Sequence, residues 1–195
     1  MLSNVSKMPG KSISLDAFEC KTGSKLAEIP GSVCFDCYAR KGMYRMPNVR
    51  NKMVERMAFF NAIDFVPRMV EMLNKTRSEY FRWFDSGDTQ DVRMALNIID
   101  VIKATPNKKH WIPTKERKIW LEALKIEPLP NNAVLRFSAT MVDAAPPKAW
   151  KQSSMVIKDA APVGHECPAP KQGGKCGECR ACWSHDVKTI TYHKH

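Results

Sequence analysis

The sequence predicts an α/β protein, built as a partial, open (β/α) barrel of about five or six mostly parallel strands. Short apolar segments alternate with amphipathic segments of helical period at intervals of about 25 residues, a pattern typical of βαβ units. The chain has 195 residues, whereas a closed eight-stranded barrel takes about 200–250 residues or more. Three of the apolar segments run directly into polar residues, and ligands of such folds bind where the strands end.

Each predicted strand is a short run of apolar or alternating residues. The predicted strands are 12–18, 79–88, 108–116, 132–140, 153–159 and 187–194. The first reads SISLDAF, and the second, EYFRWFDSGD, ends in a polar turn. The polar strand ends DSGD, PTKER and SAT are therefore expected at one edge of the sheet.

The predicted helices have apolar residues that recur three and four positions apart. They are 49–75, 92–105 and 117–126. Pro67 is expected to divide the first, because proline lacks the amide hydrogen that continues a helix. Asp64 is then expected to cap the second piece.

Composition and charge narrow the class of protein. Hydrophobic residues make up 44% and charged residues 26%, which is enough apolar material for a real core. No apolar run is long enough to span a bilayer, and the N-terminus has no apolar signal segment. We therefore expect a cytoplasmic protein without a membrane partner. If the protein is phage-encoded, we expect it in the cytoplasm of the host cell. The formal net charge of +11 favours anionic partners such as a nucleotide or nucleic acid.

The seven cysteines fall into two groups, and no cysteine is left over. Their spacings are C-x13-C-x2-C near the N-terminus and C-x8-C-x2-C-x2-C near the C-terminus; the residues are Cys20, Cys34, Cys37, Cys167, Cys176, Cys179 and Cys182. Disulfides are rare in a reducing cytoplasm, and cysteine clusters there more often bind metal. We therefore expect residues 1–160 to form the barrel with a three-cysteine loop, and residues 161–195 to form a metal-binding tail that closes on it.

The C-terminal group favours an iron–sulfur cluster. The segment KCGECRACW has the C-x2-C-x2-C run that surrounds three corners of a 4Fe-4S cluster in bacterial ferredoxins, and Cys167 is expected to supply the fourth corner. Zinc is the alternative, because pairs of cysteines two residues apart also bind zinc.

The N-terminal group has one ligand fewer than a closed site. Three cysteine ligands leave one coordination position open, and open positions are typical of catalytic metal sites. The alternative is a structural site completed by His165, His185 or a cysteine of the other group.

Several segments resemble a family of phage and plasmid proteins, the gene-product-eighty-eight-like family. They are IPGSVCFDCYARKGMYRMPNV, FRWFDSGD, HWIPTKE, RFSATMVD and CGECRACW. The resemblance covers nearly the whole chain and implies no particular activity.

A looser resemblance is to radical S-adenosylmethionine (SAM) enzymes. In that superfamily three cysteines after the first strand of a partial barrel hold a 4Fe-4S cluster whose open iron chelates SAM. Cys20, Cys34 and Cys37 follow the predicted first strand in the same way, although thirteen residues separate the first two. The superfamily also includes members with an auxiliary cluster on a C-terminal cysteine motif.

This second resemblance assigns roles to the polar strand ends. Asp85, Ser86, Gly87 and Asp88 stand where the superfamily has a turn that holds the SAM amino group, and Ser138 stands where a polar residue contacts the ribose. Lys115 and Arg117 are placed to meet the SAM carboxylate. Asp85, Asp88 and Lys115 are then the expected catalytic residues, and Ser86, Gly87, Arg117 and Ser138 the expected cofactor-binding residues.

The aspartates also have a plain structural interpretation. Asp85 and Asp88 have the residue type of general acid–base catalysts. The alternative is an Asp-Gly turn in which Asp88 or Thr89 caps the next helix.

The predicted function is therefore that of an iron–sulfur enzyme of radical SAM type, acting on a nucleotide or nucleic-acid substrate. Its electrons would come from a reductant such as ferredoxin or flavodoxin. Two alternatives stay open: a nucleic-acid-binding protein with structural iron–sulfur or zinc sites, and a redox or electron-transfer protein without its own substrate. One or two 4Fe-4S clusters and SAM are the expected cofactors, with zinc as the alternative.

Overall fold

The computed structural model of this chain describes residues 1–148 and 150–194 and contains one eight-stranded, mostly parallel sheet. The strands are β1 (Ser3–Asn4), β2 (Lys11–Ile13), β3 (Tyr80–Trp83), β4 (Lys109–Thr114), β5 (Ala133–Ser138), β6 (Ser153–Ile157), β7 (His165–Glu166) and β8 (Thr189–His193). Their order across the sheet is β1-β2-β3-β4-β5-β6-β8-β7. The sheet is open, because its edge strands β1 and β7 stand at opposite ends of this order.

The predicted α/β class and the mostly parallel pairing are confirmed. Only β1 and β2 pair in antiparallel fashion, and every other neighbouring pair of strands is parallel. From β2 to β6 the strands lie side by side in chain order, as successive βαβ units do. The predicted number of strands was too low, because the two edge strands have two residues each and such short strands leave no periodic pattern.

Five α-helices connect or flank these strands in the part of the chain that the structure describes. They are α1 (Lys21–Leu26), α2 (Pro47–Asn61), α3 (Phe65–Asn74), α4 (Val92–Lys103) and α5 (Arg117–Ile126). None of them has the length and the apolar composition that crossing a membrane would require.

One predicted strand boundary was wrong, whereas the predicted division of the long helix is confirmed. The first predicted strand, 12–18, contributes only its first residues to β2, and Ala17–Glu19 form a single 3-10 turn instead. The long helix does divide near the predicted point, but the break precedes Pro67, which lies in the first turn of α3. Proline is tolerated there because the first amide hydrogens of a helix have no partner within the helix. Asp64 stands at the cap position without a side-chain capping bond.

One face of the sheet, here called the outer face, carries the hydrophobic core. Phe81, Trp83, Ile112, Leu135 and Phe137 alternate along β3, β4 and β5 and are buried. They pack against the apolar sides of α3, α4 and α5. Because this face is buried between the strands and the helices, the strands show an apolar period of two residues and the helices show the helical period. Both periods were therefore visible in the sequence.

The opposite face, here called the inner face, is more polar. Arg82 and Trp111 are paired in register on β3 and β4, and Arg136 follows on β5. The cysteine-rich tail covers part of this face, where Trp183 packs with Trp111 and its Nε1 donates to the Phe81 carbonyl over 2.9 Å. The tail is therefore attached to the same sheet as the N-terminal elements.

Arg136 fastens the tail to the sheet. Its guanidinium is completely buried and donates to the carbonyls of Ala181, Ser184 and Val187 over 2.9, 2.8 and 2.8 Å. Its Nε also donates to the Cys182 carbonyl over 3.2 Å. Sequence reasoning missed this residue, since a lone arginine in an apolar strand gives no sign of which carbonyls it will satisfy.

A buried histidine predicts a pH dependence of stability. The Nδ1 atom of His110 accepts from Trp83 Nε1 over 3.2 Å, and Nε2 lies 3.0 Å from the Thr105 hydroxyl, so the neutral ring fits its site. Burial lowers the pKa of His110 from 6.5 to about 3. Between these values the unfolded chain binds the proton and the folded chain does not, so acidification favours unfolding.

We expect this effect to disappear in the variant His110→Asn. From pH 6.5 to 4.5 the wild-type chain should lose roughly 2 kcal/mol more unfolding free energy than the variant, as measured by urea denaturation. His185→Asn, at an exposed position, is the matched control and should keep the wild-type slope. Equal slopes for wild type and His110→Asn would contradict the assignment.

Candidate functional site

The three N-terminal cysteines lie on a loop that is tied to the carboxyl ends of the parallel strands. Just after Cys20, the backbone amide and hydroxyl of Thr22 donate to Glu116 beyond β4 over 2.7 and 2.8 Å. The Val33 amide, beside Cys34, donates to the Thr140 carbonyl beyond β5 over 2.9 Å. Tyr38, next to Cys37, donates its hydroxyl to the Asp85 carbonyl beyond β3. The loop therefore stands where ligands of α/β folds bind.

Two thiols of this loop, those of Cys20 and Cys34, lie close together. A Cβ built on Gly23 would lie 3.5 Å from Cys20 Sγ and 3.7 Å from Cys34 Sγ, so both sulfurs face the same side of α1. Burial raises the pKa of the Cys20 thiol well above its ordinary value, and the Asp88 carboxylate and the other two thiols of the loop raise it further. Burial also raises the pKa of Cys34, and the nearby Lys115 ammonium opposes this rise. Without a bound cation these two thiols hold their protons at neutral pH.

Asp88 and Lys115 lie near enough to the Cys20 and Cys34 thiols to act on their pKa values. Asp88 is buried and accepts from the Thr114 hydroxyl over 2.7 Å, and from the amides of Thr89 and Lys115 over 2.8 Å each. Burial raises its pKa to about 6, while those hydrogen bonds lower it. The carboxylate thus joins the ends of β3 and β4 and fixes the backbone at Lys115.

The remaining residues of the DSGD turn make structural contacts. The Asp85 carboxylate accepts from the Ser12 hydroxyl over 2.8 Å. The Ser86 hydroxyl donates to the Leu15 carbonyl over 2.9 Å. Gly87 has a φ of +75°, and a Cβ there would lie 2.6 Å from that of Leu15, so only glycine fits. The predicted cap of the next helix was wrong, because Asp91 caps α4 through the Met94 amide over 2.7 Å.

The last two predicted cofactor-binding residues lie at the ends of β4 and β5. Ser138 ends β5 on the inner face, where its hydroxyl accepts from the Ser154 hydroxyl over 3.1 Å. Arg117 begins α5, and its guanidinium lies 5.9 Å from the centre of the Phe137 ring. Their roles toward SAM stay predictions.

Glu116 is a residue of this site that sequence reasoning missed. It is buried, and its two carboxylate oxygens accept from the amide and the hydroxyl of Thr22. The segment TKER predicted charged residues after β4. The sequence does not show that Glu116, and not Lys115, holds the cysteine loop.

We expect Glu116→Gln to destabilise the chain by about 1–3 kcal/mol, because its amide nitrogen would face a donor of Thr22. Urea denaturation measures the change. Glu122→Gln, at an exposed position of α5, is the matched control and should leave the unfolding free energy within about 0.5 kcal/mol. An unchanged stability in Glu116→Gln would show that the loop is held by other contacts.

The four C-terminal cysteines line one small cavity. It measures about 20 Å³ and is also lined by His165, Trp183 and Ile190. Cys179 Sγ lies 3.4 Å from His165 Nε2, and Cys182 Sγ lies 3.2 Å from the Tyr192 hydroxyl.

Backbone hydrogen bonds place these cysteines against the sheet. The Cys167 amide donates to the Thr191 carbonyl over 2.8 Å, and the Cys176 amide to the Lys7 carbonyl over 2.7 Å. Burial raises the pKa of Cys182 to about 11 and also raises the pKa of Cys176. The Cys176 and Cys182 thiols therefore hold their protons at neutral pH unless a cation displaces them.

Both cysteine groups have the residue type of a thiolate-binding metal centre, but within the described residues their arrangement does not show one. All seven cysteines are free thiols; Cys20 and Cys34 lie beside Gly23, and the four C-terminal cysteines line one cavity. Within residues 1–148 and 150–194, however, no group of three or more His, Cys, Asp or Glu side chains is arranged so that it would hold a metal ion. The assignment of the cysteines as metal ligands therefore stays a prediction.

Comparison with protein families gives a match over residues 5–185 to the family described as gene product 88. Neither a curated protein nor a solved structure gave a match. The matched range contains all seven cysteines and the parallel strands from β2 to β6. The chain therefore belongs to the gene product 88 family.

Proposed function

We propose that this chain is an iron–sulfur enzyme of radical SAM type. The observation that carries the proposal is the convergence of the Cys20 and Cys34 thiols, with Cys37 beside them, at the carboxyl ends of the parallel strands. Three protein thiolates on a cubane cluster leave one iron for an exchangeable ligand. The neighbouring strand ends supply the polar groups that a zwitterionic amino acid such as SAM needs.

A reduced 4Fe-4S cluster with SAM supplies a carbon-centred radical that abstracts hydrogen from a substrate. The chain's own residues have the tasks of binding and orientation. Lys115 places a positive charge beside the thiols, which offsets the negative charge that they acquire when they lose their protons. Asp88 keeps Lys115 in place through its bond to the Lys115 amide.

The C-terminal cysteines form a second site of a different kind in this proposal. They number four and line one cavity, so a cluster bound by all four would have no open coordination position. A closed four-thiolate site carries electrons or stabilises the fold. That same observation favours the alternative function, a redox or nucleic-acid-binding protein whose tail holds a structural iron–sulfur cluster or zinc ion.

The proposed substrate is a nucleotide or nucleic acid, and the proposed electron donor is ferredoxin or flavodoxin. The net charge of +11 supports an anionic substrate. An acidic electron carrier would be attracted by the same excess of positive charge.

The test is SAM cleavage by the anaerobically purified, dithionite-reduced chain, with 5′-deoxyadenosine measured by chromatography. Wild type should form it, and Cys34→Ala should form none, because the open site would lose a ligand. The tail variant Cys176→Ala is the comparison, since it alters only the second site. A chain that carries iron at both sites yet releases no 5′-deoxyadenosine would overturn the enzyme proposal and leave the alternative.

A further inference from the structure

Arg82 and Trp111 form a pair on the inner face that neither cysteine group uses. They are neighbours in register on β3 and β4, and the Arg82 guanidinium lies 4.6 Å from the centre of the Trp111 ring. A guanidinium stacked on an indole is held in a fixed orientation, so the donors at its edge are preorganised.

Both side chains have a buried donor without an acceptor. Trp111 is only 7% exposed. Within the part of the chain that the structure describes, Trp111 Nε1 and Arg82 Nε are buried and lack a hydrogen-bond partner. A buried donor without a partner is costly, and two of them side by side are unusual in a native core. The pair therefore lacks an acceptor for these two N–H donors.

The pair lies against the cysteine-rich tail. Trp111 packs edge-to-face with Trp183, at 5.4 Å between ring centres. Cys176 and Cys182 border the same apolar cluster. The pair therefore sets a cation and an N–H donor side by side at the place where the tail meets the sheet.

We propose that Arg82 and Trp111 bind an oxyanion, the phosphate or carboxylate of a small anionic ligand. The guanidinium would donate two charge-assisted hydrogen bonds and the indole one neutral bond, which satisfies both orphaned donors. The inference goes beyond the proposed function, because it involves neither a metal nor SAM.

Comparison with Trp150 shows why an indole N–H beside a guanidinium differs from an indole N–H alone. Among the residues that the structure describes, the Nε1 of Trp150 is likewise buried without a hydrogen-bond partner. Its ring packs on Phe137, at 5.9 Å between centres, as part of the outer-face core. An orphaned indole in an apolar core attracts no anion, whereas the same group beside a guanidinium does.

The test is the rise of the unfolding temperature with ligand concentration in the full-length chain. Inorganic phosphate and acetate are added separately, with the ionic strength held constant by chloride. A ligand that binds only the folded state raises this temperature until its site is saturated. We expect a saturable rise with at least one anion, and the more effective anion identifies phosphate or carboxylate as the ligand group.

Arg82→Gln should weaken the effective anion about tenfold or more, and Trp111→Phe severalfold, since these changes remove a charged and a neutral donor respectively. Arg82→Lys keeps the positive charge but loses the paired N–H donors of the guanidinium. It replaces Arg82→Gln in the experiment if that variant does not fold. Arg93→Gln, at an exposed position of α4, and Trp150→Phe are the controls and should match wild type. No saturable rise, or an equal rise in wild type and all Arg82 and Trp111 variants, would overturn the proposal.

Discussion

Replacing Arg136 by methionine should destabilise the chain by about 4 kcal/mol or more, the largest effect that we expect from a single substitution on the inner face. The methylene chain would fill much of the same space, but the carbonyls of Ala181, Ser184 and Val187 would lose their buried donor. A carbonyl buried without a donor costs about 1–3 kcal/mol. Urea denaturation measures the loss.

Two further variants show whether the hydrogen bonds are responsible. Arg136→Lys keeps a positive charge but cannot reach carbonyls on both sides at once, so it should recover less than half of the lost stability. Arg93→Met removes an exposed guanidinium and should change the unfolding free energy by no more than about 0.5 kcal/mol. If Arg136→Met were as stable as wild type, the tail would be held by its apolar contacts, with Trp183 as the main one.

The second large effect that we expect is the loss of bound iron on substitution of a single cysteine. Cys34→Ala and Cys179→Ala should each lose about four irons relative to wild type, because each removes one ligand of one cluster. The double variant should lose nearly all iron. Iron and acid-labile sulfide measured on anaerobically purified protein give the result.

The pattern among the variants distinguishes two separate sites from one. If either single substitution removed all iron, the two cysteine groups would share one cluster. If Cys34→Ala lost none, the N-terminal loop would not bind a cluster, and the proposed enzyme would lose its catalytic site. Lys125→Ala, at an exposed position of α5 away from both cysteine groups, serves as the control for purification losses.

The sheet and its helices were largely predictable from the sequence because the outer face imposes a period. Phe81 and Trp83 on β3, and Leu135 and Phe137 on β5, alternate with more polar residues and pack under α4 and α5. The boundaries that failed are those without a periodic apolar face. The strands β1 and β7 have two residues each, which is too short for a side-chain period to be visible in the sequence.

The candidate site was predictable in its residue types but not in its supporting contacts. Cysteine spacing and the polar strand ends pointed to Cys20, Asp88 and Lys115, which the structure brings near one another. Arg136 and Glu116 were missed, because each works through backbone groups distant in sequence. Such partners depend on how the chain crosses the sheet, and a single sequence does not display that.

The most direct test of the central claim is the electron paramagnetic resonance spectrum of the anaerobically purified, reduced chain before and after addition of SAM. We expect about eight irons with matching sulfide per chain, and a cluster signal that shifts when SAM occupies the open iron. Cys34→Ala should lose the shifting signal and keep the other. A spectrum that SAM leaves unchanged, or a chain that contains zinc and no iron, would contradict the account.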